Sequence, residues 1–221
     1  MEKLKLGLRL EAVASFVNMA GSAADVGTDH GYIPVWLLQN GLQGKVIASD
    51  LNALPLEKAR QTARLYGLEN RISFRLCGGL AGIEAAEADT VVIAGMGGET
   101  IRMILEESGW DFSGKRLVLQ PMTKRHELVE WLYAAGFHLC GEKFVEENGN
   151  IYRILCAEWG TRPLPRPAHV WAGFTYTAYG VKQRAKLLRA LEGLKQAAEP
   201  DFARIAEYEE VLEDLQHAYD C

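Results

Sequence analysis

A chain of 221 residues, 48% hydrophobic and 24% charged, has the length for one medium globular domain with an appendage. Its net charge of -5 requires a nucleic-acid partner to meet a local basic patch. Cys77, Cys140, Cys156 and Cys221 show no C-x-x-C pair or nearby His spacing of a metal site, Met1-Glu2-Lys3-Leu4-Lys5 is unlike a signal peptide, and no apolar run would cross a bilayer; a reduced, cytoplasmic protein without metal or membrane is expected.

Leu6, Leu10, Val13 and Val17 recur at helical spacing and predict an opening amphipathic helix, with Lys3, Lys5 and Arg9 on its basic face. That face is either solvated or a contact for substrate. Ser22-Ala23-Ala24 then runs into Asp25-Val26-Gly27-Thr28-Asp29-His30-Gly31-Tyr32-Ile33-Pro34, followed by a helix-like segment to Leu38. A strand, a glycine turn and a helix start are the parts of a nucleotide pocket at the top of a parallel sheet. Gly27 and Gly31 are spaced G-x-x-x-G, which is not the dinucleotide fingerprint. Asp29 also puts a carboxylate where a pyrophosphate would sit against the helix N-terminus. A carboxylate suits S-adenosylmethionine, which has no phosphate and carries a sulfonium and an ammonium. Another nucleotide, or a purely structural turn, is the alternative.

Lys45 to Asp50 is an apolar strand ending in an acid about twenty residues past the turn, the place of a ribose-binding carboxylate. Read alone, Asp50 is a helix cap before Leu54-Pro55-Leu56-Glu57. Arg71 to Leu76 is a third strand, reaching Cys77-Gly78-Gly79. Asp89 to Ala94 is a fourth, almost wholly apolar as a central parallel strand should be. It enters Gly95-Met96-Gly97-Gly98, where glycines let backbone approach a ligand, and a helix from Glu99 to about Glu107. A fifth strand, Arg116 to Gln120, precedes Pro121, and Thr123 is placed to cap a helix from Lys124 to Ala135. Phe137 to Val145 and Ile151 to Trp159 read as strands of a hairpin around Asn148-Gly149. Five parallel βα units followed by an antiparallel hairpin describe the α/β, Rossmann-like sheet of class I methyltransferases; a dehydrogenase more often adds a sixth parallel unit.

Thr161 to Pro167 is proline-rich and marks a boundary between a catalytic domain, residues 1–160, and an appendage, residues 161–221. Beyond it, Thr177 to Ala197 and Asp201 to Tyr219 read as an antiparallel helical hairpin broken at Pro200. Its stripes are Val181, Ala185, Leu188, Leu191 and Leu194, and Phe202, Ile205, Tyr208, Leu212, Leu215 and Tyr219. From Arg162 to Lys195, seven basic residues face Glu192 alone. From Glu199 to Asp220, eight acids face Arg204. The two helices either pair their charges across the seam or present the basic one to a phosphate backbone.

Taken together, Asp25 to Tyr32, the Ile93-Ala94-Gly95-Met96-Gly97-Gly98-Glu99-Thr100-Ile101 segment, Arg9-Leu10, Leu119-Gln120-Pro121 and the terminal helices resemble the bacterial tRNA adenine N1-methyltransferases that act at position 22. The resemblance covers essentially the whole chain. It implies S-adenosylmethionine as donor, tRNA as partner and a coiled-coil-like terminal domain; a monomer is favoured. The donor-binding positions are then Asp25, Gly27, Asp29, Gly31, Asp50, Leu51, Cys77, Gly78, Gly95, Met96 and Gly97. One departure stands out: the family usually reads Gly-Asp-Gly-Leu where this chain has Cys77-Gly78-Gly79-Leu80. The missing acid would accept from the donor's adenine amino group, and its loss would cost about 1–3 kcal/mol of affinity.

Adenine N1 has a free lone pair at neutral pH, so catalysis needs positioning rather than a base. After transfer the ring is cationic, and an acceptor near its amine stabilises the charge. Asp29 is the first candidate for that role, then His30 and Gln120. N1 lies on the pairing edge, so the base must be turned out of its stack. Arg9, Lys182, Arg184, Lys186 and Arg189 are the expected RNA contacts. The rival readings are a nicotinamide-dependent oxidoreductase or epimerase, a binding module without activity, and a methyltransferase acting on DNA, protein or a small molecule.

Overall fold

The computed structural model describes residues 3–175 and 177–219; Met1, Glu2, Asp220 and Cys221 lie outside the described residues. The chain divides into two compact units, residues 1–162 and 163–221. Strands β1 (Ala23–Val26), β2 (Val46–Asp50), β3 (Ile72–Leu76), β4 (Thr90–Met96), β5 (Arg116–Pro121), β6 (Phe137–Glu147) and β7 (Asn150–Trp159) form one sheet in the first unit. Their order is β3-β2-β1-β4-β5-β7-β6. Neighbours are parallel from β3 to β5, and β7 is antiparallel to both β5 and β6.

Composition explains the centre. β1 is buried along its whole length, and Val91, Val92 and Ile93 of β4 are inaccessible, so both strands lack the polar-apolar alternation of a half-wet strand. Helices α1 (Leu8–Ala14), α2 (Tyr32–Gln39) and α3 (Ala53–Leu65) share one apolar cluster with β1 and β2 through Val13, Val35, Leu37, Ala63 and Val46. Helices α4 (Gly98–Glu107) and α5 (Arg125–Ala134) pack on each other, with α4 against β4 and β5. Pro34 is the third residue of α2, where the missing N–H has no intrahelical partner to lose.

The hairpin turns as its sequence demands. Asn148 and Gly149 have φ of 52° and 75°, two consecutive left-handed residues of the kind a type I′ turn needs. Two local expectations fail. The opening helix is confined to Leu8–Ala14, so Leu6 and Val17 pack from outside it. Thr123 does not cap α5; Lys124, at φ 51°, is the N-cap residue and makes no side-chain cap bond. The Thr123 carbonyl instead accepts from Gly98 N at 3.0 Å, tying the two helix starts together.

Among the described residues the second unit holds three helices, not two. A short α6 (Pro167–Ala172) precedes α7 (Ala178–Lys195) and α8 (Phe202–Tyr219) and packs on both. Asp214 of α8 accepts from Arg166 and, at 2.7 Å, from Ala168 N, which anchors the start of α6. Trp171 meets Tyr208 edge-on with ring centres 5.7 Å apart. This third helix shifts the buried faces. In α7 the buried residues are Tyr179, Gly180 and Leu187, while Val181 and Leu188 of the expected stripe are exposed. In α8, Tyr208 and Leu215 are buried with Val211, and Phe202 is exposed. Charge pairing between α7 and α8 is present at Lys195 and Glu209, 2.5 Å apart.

Candidate active site

The carboxyl ends of β1, β2, β3 and β4 open on one cavity of about 820 Å³. It lies where the strand order reverses, between β1 and β4, the place at which open α/β sheets bind ligands. Its wall carries Asp25, Gly27, Asp29, His30, Asp50, Leu51, Cys77, Gly78, Gly95 and Met96, all anticipated from sequence. Gly31, Gly97 and Gln120 do not line it. Gly31 has φ of 68°, and a Cβ there would sit 3.0 Å from the Ala59 backbone, so it is the contact of the turn with α3. Gly97 starts α4, and a Cβ would sit 3.1 Å from Thr123 Oγ1.

Gln120 is fully buried behind the wall. Its Oε1 accepts from Arg9 Nη1 at 2.7 Å. Arg9 lines the cavity, and its Nη1 would stand 3.8 Å from a Cβ on Gly95. The guanidinium also lies over the Tyr152 ring, 5.5 Å from its centre, and Glu147 Oε1 accepts from Arg9 N at 3.2 Å. The first helix therefore delivers a cation to the β4 end of the cavity, held by β5 and the hairpin.

Glycine is favoured at Gly27 because its φ is 74°; a Cβ there would also meet Met96 Cε at 2.2 Å and require that side-chain end to move. Asp29 adopts φ 48°, a conformation that Asp tolerates better than most side chains. Gly27 N and Thr28 N both donate to Ser49 O, at 2.8 and 2.9 Å, which fixes the turn to the end of β2.

Electrostatics select the ligand. Asp25, Asp29, Asp50 and Glu107 line the cavity against Arg9, which among the described residues is its one lysine or arginine. Asp25 is buried; burial, opposed by a 2.6 Å bond from Thr28 Oγ1 and reinforced by the charge of Asp50, pushes its carboxyl up to about 6. A wall of this sign disfavours pyrophosphate and favours a cation. Asp50 lines the cavity, and its Oδ1 accepts from Asn52 N at 2.8 Å, so the backbone engages one carboxylate oxygen. Asn52, not Asp50, is the N-cap of α3, so the carboxylate is not consumed by the cap. A nucleoside bearing a positive charge fits these residues.

Sequence patterning missed one wall. Thr100, Met103, Ile104, Glu107 and Ser108 reach the cavity from α4 or its end, and which face of a helix meets a cavity depends on packing that spacing does not record. Cys140 and Cys156, sixteen positions apart, come together at the β6–β7 bulge with sulfurs 3.2 Å apart. Among the described residues no group of three His, Cys, Asp or Glu side chains is arranged to hold a metal. No helix among them is long and apolar enough to cross a membrane.

Residues 6–155 match the family model described as "Methyltransferase domain". The tRNA (adenine(22)-N(1))-methyltransferase of Bacillus subtilis is 39% identical over 163 residues, covering 73% of this chain and 68% of that one. The crystal structure of the B. subtilis m1A22 tRNA methyltransferase TrmK superposes with a TM-score of 0.86 at 31% identity, covering 98% of this chain and 99% of that one. Streptococcus pneumoniae Sp1610, solved in complex with S-adenosyl-L-methionine, gives a TM-score of 0.78 at 34% identity over 94% of this chain and 100% of its own.

Proposed function

The chain belongs to the bacterial tRNA (adenine-22-N1)-methyltransferase family, and from that premise we propose that it transfers the methyl group of S-adenosylmethionine to N1 of adenine 22 in tRNA. The observation that carries this reading is the cavity at the β1/β4 reversal, with four carboxylates and one guanidinium on its wall.

S-adenosylmethionine supplies an electrophilic methyl group on a sulfonium sulfur. Asp50 would hold the ribose diol, while Leu51, Cys77 and Gly78 would border the base. Gly78 supplies no carboxylate for the donor's amino group, and its Cβ position is 3.5 Å from Leu51 Cδ1, so the base is bordered there by apolar atoms. Asp25 and Asp29 suit the cationic end. Gly27 and Gly95, both with positive φ, let backbone approach closely.

Adenine N1 attacks with its own lone pair. As the N–C bond forms the C–S bond breaks, sulfur keeps the pair, and the adenine ring becomes cationic. No proton must leave before attack, so the protein's task is alignment and stabilisation of the charge that develops. Asp29, exposed toward the cavity and 3.5 Å from His30 Nε2, is the side chain we assign to that charge. Arg9, steadied by Gln120, is the one lining cation suited to a phosphate beside the turned-out base. Lys182, Arg184, Lys186 and Arg189 of α7 are exposed and suit the RNA backbone. A tRNA substrate and the free thiols Cys77, Cys140 and Cys156 suit the cytoplasm.

Incubation of the full chain with labelled donor and unmodified tRNA, followed by nucleoside mass spectrometry, tests the reading. One 1-methyladenosine per tRNA, lost when adenine 22 is replaced, is expected. Donor binding without 1-methyladenosine would overturn it.

A further inference from the structure

Two aromatic side chains, His30 and Tyr32, line the cavity among the described residues. Their rings are stacked, 9° from parallel with centres 5.2 Å apart. The imidazole is steadied from its other end, where Nε2 lies 3.5 Å from Asp29 Oδ2. His30 thus occupies one face of the Tyr32 ring, yet Tyr32 remains 39% exposed. Its helix neighbours Ile33, Pro34 and Val35 are buried, so the first turn of α2 is a covered segment from which one phenol emerges into the cavity. The fold gains little from that arrangement, since an aromatic ring left exposed forgoes the burial that would stabilise it.

The donor's needs are met elsewhere, by carboxylates and by glycine backbone. What a purine acceptor needs in addition is a flat π surface, because a base leaving its stack forfeits stacking that an aromatic side chain can replace. The segment Gly95-Met96-Gly97-Gly98 at the end of β4 offers no ring. We propose that Tyr32, braced by the stacked His30, is the surface on which the turned-out adenine stacks for methylation. The proposal rests on the adenine-N1 reading above and names the contact that reading lacks. Adenine becomes a cation as the methyl group arrives, and a cation is held more strongly over a phenol face than a neutral ring is. Stacking on Tyr32 is therefore tighter in the transition state than in the ground state and raises kcat, not only affinity.

The test is single-turnover methylation of an unmodified tRNA transcript by the full chain and its Tyr32→Leu and Tyr32→Phe variants. Donor affinity and thermal melting are measured alongside. Tyr32→Leu is expected to slow methyl transfer about 10- to 100-fold while donor affinity and melting stay close to wild type. Tyr32→Phe keeps the ring and recovers most of the rate. Equal rates for Tyr32→Leu and wild type would overturn the stacking role and leave methyl transfer to adenine intact. A Tyr32→Phe variant as slow as Tyr32→Leu would overturn it too, by shifting the role to the hydroxyl. Absence of 1-methyladenosine with the wild-type chain would overturn both readings.

Discussion

Asp25, in β1, and Asp29, in the turn that follows it, sit four residues apart and do opposite work. Asp25 is buried with its carboxyl raised from 3.8 to about 6, chiefly by burial. Between those values the folded protein holds a proton that the unfolded chain has released, so ligand-free stability is greatest on the acid side and falls as pH rises through about 6. That rise corresponds to about 3 kcal/mol at most, present as a penalty at pH 8. Asp25→Asn still offers an oxygen to Thr28 and cannot ionise. At pH 8 the ligand-free variant should melt higher than wild type, and its stability should lose the step near pH 6. A cationic donor pulls the other way by favouring the ionised form. Wild-type donor affinity, read by titration calorimetry, should rise with pH through about 6, while the variant binds weakly and without the step. A ligand-free variant that melts no higher than wild type at pH 8 would refute the assignment. Asp29 is exposed, so Asp29→Asn, which keeps a side chain suited to φ 48°, should leave melting unchanged and lower turnover.

One connection between elements helps to hold Arg9 at the cavity. The I′ turn at Asn148-Gly149 fixes the hairpin tip, and Glu147, the last residue of β6, accepts from Arg9 N at 3.2 Å and lies 3.9 Å from Arg9 Nε. Glu147→Ala frees the first turn of α1, and the KM for tRNA should rise about 3- to 10-fold, the worth of one such bond, with donor affinity unchanged. Steady-state kinetics over both substrates check it; a rise in donor KM instead would place Glu147 at the donor. The turn was legible because type I′ geometry demands two left-handed residues and Asn-Gly supplies them. Asp25, Asp50, Gly27 and Gly95 were legible because strand ends of a parallel sheet converge on one edge. Gly31 and Gly97 looked identical to lining glycines, yet they relieve contacts with Ala59 and Thr123, and no local pattern separates a glycine that admits a ligand from one that admits another helix. The face of α7 was misread because heptad spacing assumes a two-helix seam, while α6 adds a third partner and buries Leu187 instead of Leu188.

Across the whole molecule, a chain of net charge -5 has to bring an acidic cavity to a polyanion. Attraction must then come from basic side chains other than those of the cavity, and α7 of the second unit carries such side chains. Lys195 pairs with Glu209, and Lys182, Arg184, Lys186 and Arg189 are exposed like it. At about 100° per residue, Lys182, Lys186 and Arg189 fall on one face of α7 and Arg184 on the opposite one. Three cations within two turns can follow a phosphate backbone; the fourth cannot join them. Reversing Lys182, Lys186 and Arg189 to Glu together should weaken tRNA binding strongly at 50 mM salt. It should also flatten the dependence of log K on log salt by about 2, at roughly 0.7 for each phosphate no longer neutralised. Arg184→Glu should have the smallest effect of the four single reversals. Because these side chains are exposed, melting should change little, so a loss of binding reports the interface rather than unfolding. Donor affinity in the triple variant should equal wild type, since every residue lining the cavity lies within the first unit. Unchanged tRNA affinity of the triple variant at low salt would show that the RNA is held by some other surface, and would leave α7 with only the structural task of pairing with α8.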